Sequence, residues 1–221
     1  MNIVMMGAQG TGKGTAAGIL KEKLNIPHIS TGEIFRKNIK EGTELGKIAT
    51  QYADEGKLVP DEVTNQMVRN RLNESDCTRG FILDGYPRNL AQAEELDKIL
   101  AEKRARLDMV VYLTTPVEEI VERVMARREC PHCKKVYNMV LSKPKNGEIC
   151  DDCGVELIKR VDDTEEKLKT RLEIFFKETE PVIDYYRTKG IVREEEVSLG
   201  INRLAVDVAN DIIDEMKGSE R

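Results

Sequence analysis

The nonapeptide GAQGTGKGT, residues 7–15, decides the fold, because it separates two different local patterns. Before it, residues 3–6 (IVMM) are continuously apolar, as a strand buried on both faces requires. After it, Ala16, Ile19, Leu20 and Leu24 recur at helical spacing. Glycines at 7, 10, 12 and 14 tolerate the dihedrals that turn successive backbone N–H groups toward one point, and the helix that follows adds its positive end. Gly7, Gly12 and Lys13 fit the phosphate-loop pattern G-x-x-x-x-G-K-[ST], with Lys13 able to reach the outer phosphates. The pattern then asks for a hydroxyl that touches magnesium. Position 14 is Gly14, and the hydroxyl comes one residue later, at Thr15. A magnesium ion here would be held by phosphates and water, with Asp84 able to orient the waters.

Working outward, strands are expected at 2–6, 27–30, 80–85, 109–113 and 191–197. Helices are expected at 15–24, from 30 (Ser30 and Glu33 match a capping box), at 44–55 closing on Gly56, from 60, at 91–103, from Pro116, from about 163, and at 201–216. Arg123 and Arg127, four apart on one predicted helix, share a face, and neither has an obvious acidic partner at that spacing. The tail 217–221 is expected to fray. Apolar strands alternating with helices imply an α/β fold: a P-loop NTPase-type parallel β-sheet flanked by helices. Ligands of such sheets sit at the carboxyl ends of the strands, where residues 7–15 and 84–88 both fall.

A chain of 221 residues suits one main domain with small insertions. With 34% charged residues, 5% aromatics and no Trp, its core must be aliphatic. The net charge of -5 argues against nucleic-acid binding by bulk electrostatics. No apolar run approaches the ~18 residues of a membrane span, and the N-terminus reads as a core strand rather than a leader, so a soluble cytoplasmic protein is expected. Two histidines, His28 and His132, give little support to histidine acid–base chemistry. Six arginines (Arg36, Arg88, Arg123, Arg127, Arg160, Arg171) from separate segments suit phosphoryl transfer, which needs positioning and charge neutralisation.

Cys77 stands alone and reads as a small buried residue. The other four cysteines, Cys130, Cys133, Cys150 and Cys153, follow C-x2-C-x16-C-x2-C, the spacing of a closed structural metal site. Four thiolates suit zinc, iron or cobalt; His132 could replace one Cys, but its place inside the first knuckle favours a bystander role. A zinc-ribbon nucleic-acid-binding ATPase is the rival reading, although the segment has no basic excess and no aromatic beyond Tyr137.

The motifs together resemble one family, adenylate kinase in its long-lid, zinc-bearing bacterial form. The likeness covers nearly the whole chain: GAQGTGKGT, ISTGEIFR (29–36), GKLVPDE (56–62), GFILDGYPRNLAQAE (80–94), ERVMARR (122–128) and KRVDDTEEKLKTRL (159–172). The resemblance implies a nucleoside monophosphate kinase, ATP + AMP ⇌ 2 ADP with Mg2+, of monomeric form. Kinases for UMP, CMP or GMP are close alternatives. It implies a core of residues 1–29, 60–127 and 162–221, a helical AMP-binding insertion at 30–59 and a small zinc-containing lid at 128–161. ATP would be held by Gly10, Thr11, Gly12, Lys13, Gly14, Thr15, Arg123, Arg127, Val136, Tyr137 and the backbone near Leu199. AMP would be held by Thr31, Arg36, Lys57, Val59, Gly85, Arg88, Gln92, Arg160 and Arg171. Lys13, Asp84, Arg88, Arg123, Arg160 and Arg171 would be catalytic, with Asp162 and Asp163 acting near the metal waters or the closed lid. The family usually has Pro where this chain has Gln9, which departs from the pattern without removing a phosphate contact.

Overall fold

The structure, a computed structural model, describes residues 1–53 and 57–219. The expected helix end at 54–56, Gly56 of GKLVPDE and the last two residues lie outside the described residues. Seven strands are described: β1 (Asn2–Met6), β2 (His28–Ser30), β3 (Phe81–Asp84), β4 (Met109–Thr114), β5 (Arg127–Glu129), β6 (Val136–Asn138) and β7 (Val192–Glu196). Five form one parallel sheet in the order β2-β3-β1-β4-β7, and β5 and β6 form a separate antiparallel pair. In the parallel register Met5 and Ser30 both pair with Asp84, so the carboxyl ends of the three strands arrive at one edge.

Nine α-helices are described: α1 (Lys13–Leu24), α2 (Thr31–Glu41), α3 (Glu44–Ala53), α4 (Asp61–Leu72), α5 (Leu90–Glu102), α6 (Val117–Met125), α7 (Glu165–Ile174), α8 (Pro181–Arg187) and α9 (Ala205–Ser219). A π-helical turn, Phe175–Thr179, joins α7 to α8. Alternate residues of β1 feed two cores. Val4 and Met6 pack with Val68, Leu96, Val182 and Tyr186 on one face, and Ile3 and Met5 with Leu20, Val208 and Ile212 on the other. Side chains start several helices by accepting an orphan N–H: Ser30 Oγ from Glu33 (3.4 Å), Asn89 Oδ1 from Gln92 (2.9 Å) and Thr164 Oγ1 from Lys167 (3.3 Å).

Three expectations are corrected. α6 ends at Met125, so Arg127 shares no helix face with Arg123. Ala126 caps the helix and Arg127 enters β5, paired with Asn138, because the hairpin ladder takes over the backbone there. The last helix begins at Ala205 rather than 201, because Ser198 and Arg203 exchange backbone hydrogen bonds (2.9 and 3.0 Å) around Asn202 at φ 50°, and Asp207 caps the helix through Leu204 N–H. Finally, β7 reads VREEE and is not apolar. It is a sheet edge whose Arg193 pairs with Glu195 and Glu215.

Candidate active site

The loop after β1 places Gly7, Gly10 and Gly12 at φ 134°, 87° and 95°, in the left-handed region. Two of them also lack space for a side chain. A β-carbon on Gly7 would lie 2.3 Å from the Leu113 carbonyl oxygen, and one on Gly12 would lie 2.6 Å from Ala205 Cβ. The loop is thereby pressed against the end of β4 and the start of α9. Lys13 opens α1 and folds back, its Nζ donating to the Gly7 and Ala8 carbonyls at 2.7 Å each. Burial pushes the Lys13 ammonium down to about 8, against the pull of Asp84 and with the push of Arg88 and Arg127.

Asp84 ends β3 opposite the loop. Burial disfavours its charge, but His28, Lys13 and Arg88 outweigh that and hold its carboxyl below the usual range. His28 Nε2 stands 3.6 Å from Asp84 Oδ2, an electrostatic contact too long for a hydrogen bond. Next along, the Gly85 carbonyl accepts from both Thr31 Oγ1 (2.9 Å) and Arg88 Nε (2.8 Å). Gly85 is itself at φ 83°. Gln92 is fixed at both ends of its amide: Oε1 accepts from Arg88 N–H (2.8 Å) and Nε2 donates to Asp61 Oδ1 (2.6 Å).

The arginines converge from four elements and two loops, most of them already partnered. Arg123 donates to Glu119 (2.7 Å), four residues earlier on α6, which corrects the expectation that it lacks an acid at that spacing. Its Nε is buried with no acceptor among the described residues. Arg127 pairs through both arms with Asp163, whose side chain is 1% exposed; that pairing outweighs burial and keeps the guanidinium firmly charged. Arg160 Nε donates to Glu129 (2.6 Å) and Arg171 Nη2 to Asp162 (2.7 Å). Burial lowers the proton affinity of Arg36 and Arg88, followed by repulsion from Arg160 on the first and from Arg171 on the second.

One cavity of about 1020 Å³ gathers these groups. Lys13 and Arg36, Arg88, Arg123, Arg127, Arg160 and Arg171 line it together with Asp84 and Asp162. Gly10, Gly12, Gly14 and Thr15 form one end, and Thr31, Lys57, Val59, Gly85 and Gln92 line another part. Val136 and Tyr137 of β6 line the same cavity, so the hairpin segment faces the space that the phosphate loop also borders. Two residues expected to hold nucleotide fall outside the lining, as does Asp163. Thr11 is buried, its hydroxyl bonded to the Ala8 carbonyl (2.9 Å). Leu199 is half exposed and its N–H donates to Glu119 Oε2 (3.1 Å), while Leu204, Ala205 and Val206 supply that wall.

Other residues of the site escaped the sequence reading. Glu119 sits at i−4 from Arg123, so its signal was present in the spacing. Asp61 and Glu129, which hold Gln92 and Arg160, are 31 residues from their partners and had none. Gln9 also lines the cavity and donates through Nε2 to the Leu168 carbonyl on α7 (3.4 Å).

Cys130, Cys133, Cys150 and Cys153 bring all four Sγ atoms within 4.8 Å of one another. The Cys133–Cys150 separation of 3.7 Å matches the roughly 3.8 Å edge of a tetrahedron with 2.3 Å metal–sulfur bonds. The Cys133 N–H donates to Cys130 Sγ (3.4 Å), the turn of a metal knuckle. The four thiols therefore fit a tetrahedral ion such as zinc. His132 Nδ1 lies 3.5 Å from Cys153 Sγ, beside the set rather than in it.

Comparison with known proteins agrees with this geometry. A sequence model of the family described as adenylate kinase matches residues 5–191. The chain is 48% identical over 221 residues to the adenylate kinase of Caldanaerobacter subterraneus subsp. tengcongensis, covering 100% of this chain and 98% of that one. It is 48% identical over 210 residues to that of Acetivibrio thermocellus, covering 95% and 97%. With the adenylate kinase of Thermotoga maritima it shares 47% over 207 residues, covering 93% and 94%. A phosphate loop, a basic cavity at the carboxyl edge of a parallel sheet and these relatives over nearly their full length lead to one conclusion: the chain belongs to the adenylate kinase family.

Proposed function

We propose that the chain catalyses ATP + AMP ⇌ 2 ADP as a phosphotransferase, with the nucleotides side by side in the one cavity. The observation that carries this reading is the gathering of ten cationic side chains, six of them arginines, against four carboxylates, around a phosphate loop in a chain of net charge -5. Such a field neutralises transferring phosphate, a reaction that needs positioning and charge neutralisation more than a covalent partner. In this reading Lys13 and the loop N–H groups hold the ATP phosphates, and Arg88, Arg123, Arg160 and Arg171 surround the group in flight. Arg36, Thr31, Gly85 and the Lys57–Val59 backbone hold AMP. Mg2+, carried in on the phosphates, supplies further charge neutralisation. Asp84, kept ionised by its neighbours, is suited to orient the water around it.

Gln92 supports AMP as the acceptor over other monophosphates. With Oε1 bonded to Arg88 N–H and one Nε2 hydrogen given to Asp61, its amide is held in one orientation. It keeps one N–H and one lone pair, which match the N1 acceptor and N6 donor of adenine. Guanine offers the opposite pair and would need the amide reversed.

Water competes with AMP as a nucleophile, so the site must close. Two insertions, 30–59 over AMP and 128–161 over ATP, are suited to that motion, with zinc on the four cysteines stiffening the second. No helix among the described residues is long and apolar enough to cross a membrane. We read the protein as a cytoplasmic monomer whose partners are ATP, AMP and ADP. The deciding experiment is ADP formation from ATP plus AMP by the wild type, Lys13→Ala and Arg88→Ala. Strong activity lost in both variants is expected; no ADP from the wild type overturns the reading. Activity with UMP, CMP or GMP exceeding that with AMP would transfer it to a sister kinase.

A further inference from the structure

The lid holds a miniature core of its own, Cys130, Tyr137, Cys150 and Leu157, and one member belongs to two sites at once. Tyr137 is 4% exposed and lines the nucleotide cavity. Its hydroxyl turns the other way, toward the cysteines. The oxygen accepts the Asp151 N–H at 2.9 Å and lies 3.6 Å from Cys150 Sγ. A phenol has one hydrogen to give. With its oxygen occupied by Asp151, that hydrogen is directed at Cys150, and a metal-bound thiolate can only accept it.

We propose that Tyr137 is a positioning residue that couples metal binding in the lid to nucleotide binding in the cavity, through its O–H···S bond to Cys150. The inference rests on the metal reading of the four cysteines. Hydrogen bonds to a ligating sulfur orient it and tune its hold on the ion. The orientation of the same ring is set by that bond at one end and by the cavity at the other. A nucleotide that fixes the ring therefore fixes the thiolate, and an ion that holds the thiolate presents the ring. Linkage requires the coupling to act equally in both directions.

The prediction is read on the metal. Purified full-length protein is loaded with zinc, and its release to a chromophoric chelator is timed with and without ADP. In the wild type, ADP slows release. Tyr137→Phe keeps the ring and removes the hydroxyl; zinc should leave roughly tenfold faster or more, and ADP should no longer slow it. His132→Ala serves as the comparison, because His132 touches Cys153 (3.5 Å) but does not line the cavity. It should speed release while keeping the protection by ADP. Zinc release from Tyr137→Phe at the wild-type rate, with the same protection by ADP, overturns the coupling and leaves the metal reading standing. Failure of the wild type to retain one zinc per chain overturns both.

Discussion

Lys13 lies in a buried site crowded with arginines, and its ammonium is held at about 8 in the free protein. Burial is the largest cause, and only Asp84 among the named neighbours opposes it. Nucleotide phosphates reverse the balance by placing negative charge beside Nζ, which should return its pKa to about 10 or above. Binding must then take up protons. The sign follows from the two values: a group whose pKa is higher in the bound state gains a proton on binding between them. At about pH 8 half of the free Lys13 is neutral, so uptake is about half a proton; at about pH 9 it is ~0.9. The affinity for ADP should fall about fivefold from pH 8 to pH 9, ~1 kcal/mol. Terminal phosphates titrate near pH ~6 and contribute nothing in this window. Titration calorimetry in buffers of different ionisation enthalpy measures the uptake directly. Lys13→Met should abolish it. Asp84→Asn removes the charge that favours the ammonium and should raise the uptake at pH 8 above one half. Wild-type binding at pH 9 with no proton uptake would refute the reasoning, since Asp84 would then outweigh burial.

Three further outcomes are expected. Asp163→Ala strips the buried Arg127 of its only ion-pair partner among the described residues, and loss of one member of a buried pair costs ~3 kcal/mol or more. For a chain of this size calorimetry should find Tm lowered by about 6–12 °C, and an unchanged Tm would mean that solvent replaces the carboxylate. Gly12→Ala should cost about 1–2 kcal/mol from its φ of 95° and more from the 2.6 Å approach to Ala205; adding Ala205→Gly should recover only the second part, as read by chemical denaturation. Gln9→Ala removes a long 3.4 Å bond to Leu168 and no phosphate contact, so kcat should stay within about twofold; a larger drop would give Gln9 a part in transfer.

Much of this site was legible because its signals are local. The phosphate loop is a strand, four glycines and a helix start within about a dozen residues. The cysteine spacing speaks for itself, and Asp84 stands at a strand end. Contacts made across the chain were not legible. Arg127 and Asp163 are 36 residues apart, and only the hairpin that pulls Arg127 off the end of α6 brings them together. The same holds for Gln92 with Asp61. The start of the last helix was hidden for a related reason: the Ser198–Arg203 backbone pairing closes a turn that no periodic pattern announces, and Leu199 lies in that turn. Glu119 is different, since its spacing from Arg123 was readable and only the crowd of other acids hid it.

The charged strand β7 has a consequence for the molecule in company. An outer strand offers unpaired N–H and C=O groups to any neighbour, and a smooth apolar one invites sheet-to-sheet growth. Here the outermost strand on that side carries Arg193 and three consecutive glutamates, with Glu194 held by Arg187 and Glu195 by Arg203. A second copy approaching this flank meets like charge and would have to strip these ion pairs before any backbone could dock. The sheet that carries the phosphate loop is thus insulated from aggregation on the side away from β2, by a strand whose sequence departs from the apolar rule.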